Sequence, residues 1–131
     1  MPRRPSEARA RSALFVLWCL GWVGVATLSL LPIATPIPMA DGDKLLHALT
    51  YGGMTAAAVA FCRSPGRLAL IALFAVALGG LVEIAQGLVA WRHASVLDAV
   101  ANAVGAALGY LIGLLALAVL RRLPKDAPSP G

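Results

Sequence analysis

The stretch VLDAVANAVGAALGYLIGLLALAVL, residues 96–120, decides the fold. It is apolar over more than the roughly 20 residues a helix needs to cross about 30 Å of hydrocarbon. Its only strongly polar side chains, Asp98 and Asn102, lie in its first two turns. Asp98, Asn102, Gly105, Gly109 and Gly113 recur three or four residues apart and share one helical face. The lower part of that face is a double small-xxx-small pattern, which lets membrane helices approach backbone to backbone. The glycines mark the buried side, so Asp98 and Asn102 on the same side are expected to point into a helix bundle.

Three further apolar stretches precede it, at 12–31, 44–62 and 67–90. Pro32, Pro36 and Pro38 close the first, Ser64-Pro65-Gly66 makes a turn after the second, and Trp91 to Ser95 connects the third to the fourth. With 60% hydrophobic and 13% charged residues and a mean hydropathy of +0.82, the composition is that of an integral membrane protein. The expected fold is all-α and polytopic, with four transmembrane helices. A basic tail at 1–11, a membrane domain at 12–120 and a basic, then proline-rich, tail at 121–131 complete the organisation.

Basic residues set the orientation. Arg3, Arg4, Arg9, Arg11, Arg63, Arg67, Arg121, Arg122 and Lys125 are nine of the 11 Lys and Arg, and all fall on one side of the four-helix arrangement. The positive-inside rule therefore places both termini in the cytoplasm and leaves Lys44 and Arg92 outside. The same clusters account for the net charge of +5 and the pI near 10.0 as headgroup contacts rather than a nucleic-acid surface. The basic start and apolar run also resemble a signal peptide, with cleavage near Ala34 or Ala40 as the alternative. The run is longer than the usual signal core, which favours an uncleaved helix. Cys19 and Cys62 have no metal or redox spacing and read as packing residues.

Nine polar or ionisable residues then stand out: Asp43, Lys44, His47, Tyr51, Glu83, Gln86, Arg92, Asp98 and Asn102. At about 1.5 Å per residue, His47 lies about 6 Å and Tyr51 about 12 Å inside the second helix. Gln86 and Glu83 lie about 6 and 10 Å below a helix end at Ala90. All nine therefore converge on the outer half of the bilayer. Lys44, His47, Tyr51 and Thr55 form one stripe, and Gly79, Glu83 and Gln86 another. An intramembrane carboxylate is by default a functional-site hypothesis.

The ordered set Asp43-Lys44-x-x-His47-x-x-x-Tyr51, Glu83-x-x-Gln86 and Arg92-x5-Asp98-x3-Asn102-x-x-Gly105-x3-Gly109 resembles the VanZ-like family of small bacterial membrane proteins. The resemblance runs from Asp43 to Gly113, with one departure at Ala90-Trp91, where a Pro-Gly turn is expected. It implies a setting in the bacterial cytoplasmic membrane and cell envelope, with a link to glycopeptide resistance of the teicoplanin type. It implies no reaction.

Each residue has a bland and a functional reading. Asp43 caps the second helix. His47 suits proton transfer, a phosphate contact or an interhelical bond. Glu83 is either one half of an ion pair that sets helix register or an acid/base group. Arg92 can grip a carboxylate or phosphate, or close on Asp98. Asp98 and Asn102 suit helix packing or ligand contact, and Tyr51 and Gln86 suit hydrogen bonding. A metal set of His47, Glu83, Asp98 and His93 is conceivable, but no HExxH or paired spacing supports it, so neither metal nor cofactor is expected. Three functions compete: binding an envelope lipid or glycopeptide-type ligand in an outward cleft, intramembrane catalysis through Glu83, His47 and Arg92, and a structural bundle serving a larger partner.

Overall fold

The computed structural model describes residues 5–32 and 42–122. It contains four α-helices: α1 (Pro5–Leu30), α2 (Gly42–Ala57), α3 (Pro65–Gln86) and α4 (Val96–Arg122). Among the described residues there is no strand. The positions Arg3, Arg4, Ala34, Pro36, Pro38, Ala40, Lys125 and the tail from Pro124 lie outside the described residues.

Three helices, α1, α3 and α4, are long and apolar enough to cross a membrane. Over their middle turns their outward faces are apolar, with Leu17, Leu70 and Leu115 each more than 60% exposed. A soluble surface does not present contiguous apolar area on this scale, whereas lipid accepts it. The chain is a membrane protein whose helices contact the bilayer.

The second helix is shorter than the expected 44–62. Regular α-helix stops at Ala57, and a 3-10 turn over Ala58–Ala60 completes the segment. Thr55 Oγ1 donates to the Tyr51 carbonyl (2.8 Å), the i−4 back-bond that bends helices. The third helix also ends earlier than expected, at Gln86 rather than Ala90. At its start Ser64 caps the chain, accepting from the Arg67 N–H, and Pro65 occupies a first-turn position where its missing N–H costs nothing. The first and fourth helices extend past their hydrophobic runs into the basic residues.

Interhelix contacts define the topology. Ala48 meets Gly105 and Gly52 meets Gly109, so α2 and α4 run parallel. Gly79 meets Asn102 while Gly113 meets Leu68, so α3 runs antiparallel to α4. Bonds from Trp18 to Met54 and from Gln86 to Ser29 set α1 antiparallel to α2 and parallel to α3. The bundle is therefore up-down-up-down.

Glycine sets the closest crossing. A Cβ at Gly105 would lie 2.8 Å from Ala48 Cα, and one at Gly109 2.9 Å from Thr55 Cβ. No side chain fits between these backbones, and α2 packs on α4 through small residues as membrane helices do. α1 is held differently, by aromatic rings. Trp18 packs on Phe15, Phe61 and Trp22, and Trp22 in turn meets Tyr51 edge-on at 5.1 Å. The Trp18 indole N–H donates to the Met54 carbonyl at 2.7 Å.

Candidate functional site

The N-terminal turns of α2 and α4 and the C-terminal turns of α1 and α3 meet at one end of the bundle. All the described cations of the expected inner side, such as Arg9, Arg63, Arg67 and Arg121, belong to the opposite helix ends. The predicted polar residues divide there into two groups.

The first group binds α1. Gln86 Nε2 donates to the Ser29 carbonyl (2.9 Å), Trp91 Nε1 to that of Leu30 (2.9 Å), and Arg92 Nη2 to that of Leu31 (3.1 Å). These carbonyls end a helix and have no intrahelical partner, and a guanidinium there also meets the negative end of the helix dipole. Gln86 thus supplies a hydrogen bond, as its residue type suggested. Arg92, read as a grip on a carboxylate or phosphate or as a contact of Asp98, also joins this cap. Trp91, read from the sequence as the start of the connection between the third and fourth helices, gains through its bond to Leu30 a role that only the fold assigns.

The second group is His47, Glu83, Asp98 and Asn102. His47 Nδ1 and Asn102 Oδ1 are 3.0 Å apart. An amide oxygen only accepts, so Nδ1 carries a hydrogen, and in the neutral ring the lone pair is on Nε2. One donor atom from each of His47, Glu83 and Asp98 lies within 4.8 Å of the others. Exposed His93 does not join them.

The chain turn before α4 explains how the carboxylates are presented. Ser95-Val96-Leu97-Asp98 has the pattern of a capping box, and Ser95 Oγ accepts from the Asp98 N–H (3.2 Å). In a closed box the Asp98 side chain would take the Ser95 N–H in return. Here Glu83 Oε2, from α3, takes it at 3.1 Å. Asp98 is released from capping, and Glu83 is tied by only one oxygen. Because α3 ends three residues beyond Glu83, its carboxylate is buried by the returning loop rather than by depth along the helix, as expected from a helix reaching Ala90.

Among the described residues, Glu83 Oε1, Asp98 Oδ1, Asn102 Nδ2 and Tyr51 Oη are buried without a hydrogen-bond partner. Glu83 is 5%, Asp98 8% and Asn102 0% exposed. Each such orphan is costly in a finished structural network, by about 1–3 kcal/mol. Asp43 and Lys44 stand at the edge. Asp43 lies within the first turn of α2, where its Oδ1 accepts from the Lys44 N–H (2.9 Å) and stands 3.8 Å from the Lys44 ammonium, and its charge complements the positive end of the helix dipole. Tyr51 is fully buried, with Cε1 beside Gly79.

Beside the cluster, a groove of about 270 Å³ opens between α3 and α4. Glu83 and Ser95 touch it, and Gly80, Ile84, Ala94, Val96 and Ala99 make the rest of its wall apolar. Fold and site together define a helical membrane protein with a buried polar cluster next to a lipid-facing groove. No protein-family model, curated protein or solved structure matches the chain.

Proposed function

We propose that the chain is a VanZ-like protein of the bacterial cytoplasmic membrane that binds the polar head of an amphiphilic envelope ligand, lipid-linked or of glycopeptide type, in the outer leaflet. Four spans with both termini in the cytoplasm go with this reading. α2 covers about 24 Å and its 3-10 turn about 6 Å more, close to the hydrocarbon thickness. The basic helix ends then face the cytoplasm.

The observation that carries the reading is the junction of orphaned polar atoms with an apolar groove. Tyr51 Oη and Asn102 Nδ2 are donors without acceptors, and Glu83 Oε1 and Asp98 Oδ1 are acceptors without donors. A headgroup bearing both hydroxyl and phosphate or carboxylate oxygens satisfies such a mixed set, while its chain lies along Ile84, Val96 and Ala99.

The test is equilibrium binding to the protein in lipid nanodiscs, with a fluorescent polyprenyl phosphate and labelled teicoplanin as probes. Asn102→Leu removes the central polar group of the cluster. Binding of either probe by the wild type, weakened about tenfold or more in Asn102→Leu at unchanged helical content, supports the reading. Equal binding by both proteins, or none by either, refutes it.

A further inference from the structure

We propose that His47, Glu83 and Asp98 form a three-ligand site for a divalent transition-metal ion of the zinc type. The inference goes beyond the ligand reading above, since the ion needs no amphiphile to bind.

Three elements bring one donor each to a common point: α2 the imidazole, α3 and α4 the carboxylates. Donors about 2.0–2.2 Å from a tetrahedral zinc stand roughly 3.4 Å apart, so a cluster spanning 4.8 Å closes on an ion with small side-chain rotations. Both carboxylates have an oxygen buried with no partner, Glu83 Oε1 and Asp98 Oδ1, in residues only 5% and 8% exposed. Two carboxylates facing each other in a low-dielectric interior repel, and a dication between them turns that repulsion into attraction.

The surroundings match a metal centre. The His47–Asn102 hydrogen bond holds the ring and leaves Nε2 as the donor, the outer-shell arrangement typical of metal-bound histidines. The Ser95 N–H plays the same part for Glu83. An imidazole among the donors favours zinc-type ions over magnesium or calcium, which prefer all-oxygen shells. Three protein ligands leave a fourth position, as in zinc sites that keep a water or substrate. The groove beside Glu83 gives such a position access to an incoming molecule.

The experiment uses the full-length protein in detergent, without a polyhistidine tag, stripped with chelator and titrated with Zn²⁺ alone. The expected result is about one zinc per chain by elemental analysis. Glu83→Gln and Asp98→Asn should each lose it, and His93→Ala should retain it. Asn102→Ala should bind about 10–100-fold more weakly. X-ray absorption of the zinc-loaded wild type keeps the test independent of how well the variants fold. It should show a single imidazole nitrogen and carboxylate oxygens. No stoichiometric binding by the wild type, sulfur in the shell, or loss of zinc in His93→Ala would overturn the proposal. Zinc binding without binding of the amphiphilic probes would leave this site standing and refute only the ligand reading.

Discussion

Replacing Gly105 by alanine should separate the two helices that carry His47 and Asn102. The new Cβ would stand 2.8 Å from Ala48 Cα and 2.9 Å from its carbonyl carbon. Carbon–carbon contact is comfortable only at about 3.5–4.0 Å, so α2 and α4 must part by roughly 1 Å. Overpacking of this kind costs about 1–3 kcal/mol, of which the better helix propensity of alanine returns about 0.5–1 kcal/mol. The net destabilisation is then about 1–2 kcal/mol. His47 immediately precedes Ala48, and Asn102 lies one turn before Gly105, so the same displacement stretches their 3.0 Å hydrogen bond beyond reach. Gly53→Ala is the internal control. A Cβ there meets nothing within 4 Å, so only the propensity gain remains and the variant should be slightly more stable than wild type. Thermal unfolding in one detergent, followed by circular dichroism, reads both. If Gly105→Ala is as stable as Gly53→Ala, the claim that backbone contact sets this crossing is wrong.

Two further outcomes follow from the loop at 87–95. Ser95→Ala removes the side-chain acceptor of the Asp98 N–H and leaves it only the Ser95 carbonyl (3.1 Å), at a cost of about 0.5–1 kcal/mol, whereas Ser95→Asp should recover most of it; equal stability of the alanine and aspartate variants would contradict the capping role. Trp91→Phe and Arg92→Ala each leave a terminal α1 carbonyl unpaired, at about 0.5–1.5 kcal/mol apiece. Hydrogen exchange in the last turn of α1 should quicken in both while α2 and α4 are unchanged, and protection indistinguishable from wild type would show that the loop does not hold α1.

Much of the bundle could be read from residue spacing. The stripes Gly79–Glu83–Gln86 and Asp98–Asn102–Gly105–Gly109–Gly113 are buried, as their period implies. Tyr51 and Thr55 follow the same rule on α2, while Lys44 and His47 remain half-buried near its end. Periodicity reports which side of a helix faces inward, because adjacent turns share a face whatever they pack against. It carries no information about partners. Gln86 and Arg92 bind carbonyls 57 and 61 residues away, and a backbone carbonyl leaves no trace in the amino-acid pattern. The aromatic cluster that seats α1 had a weak signal, Phe15, Trp18 and Trp22 at helical spacing, which on a lipid-exposed helix does not distinguish packing from membrane contact.

Sequence alone determined that this is a helical membrane protein and that its polar residues gather at one end of their helices. Transfer free energy and helical period suffice for both, since each depends only on local composition and 3.6-residue geometry. Tertiary structure decided how those residues divide. The early end of α3 turns the loop back, so Glu83 takes the Ser95 N–H that Asp98 would otherwise accept. That exchange frees Asp98 to face His47, while Gln86 and Arg92 also reach the carbonyls at the end of α1. A contest between two carboxylates for one backbone amide is settled by the approach of separate helices.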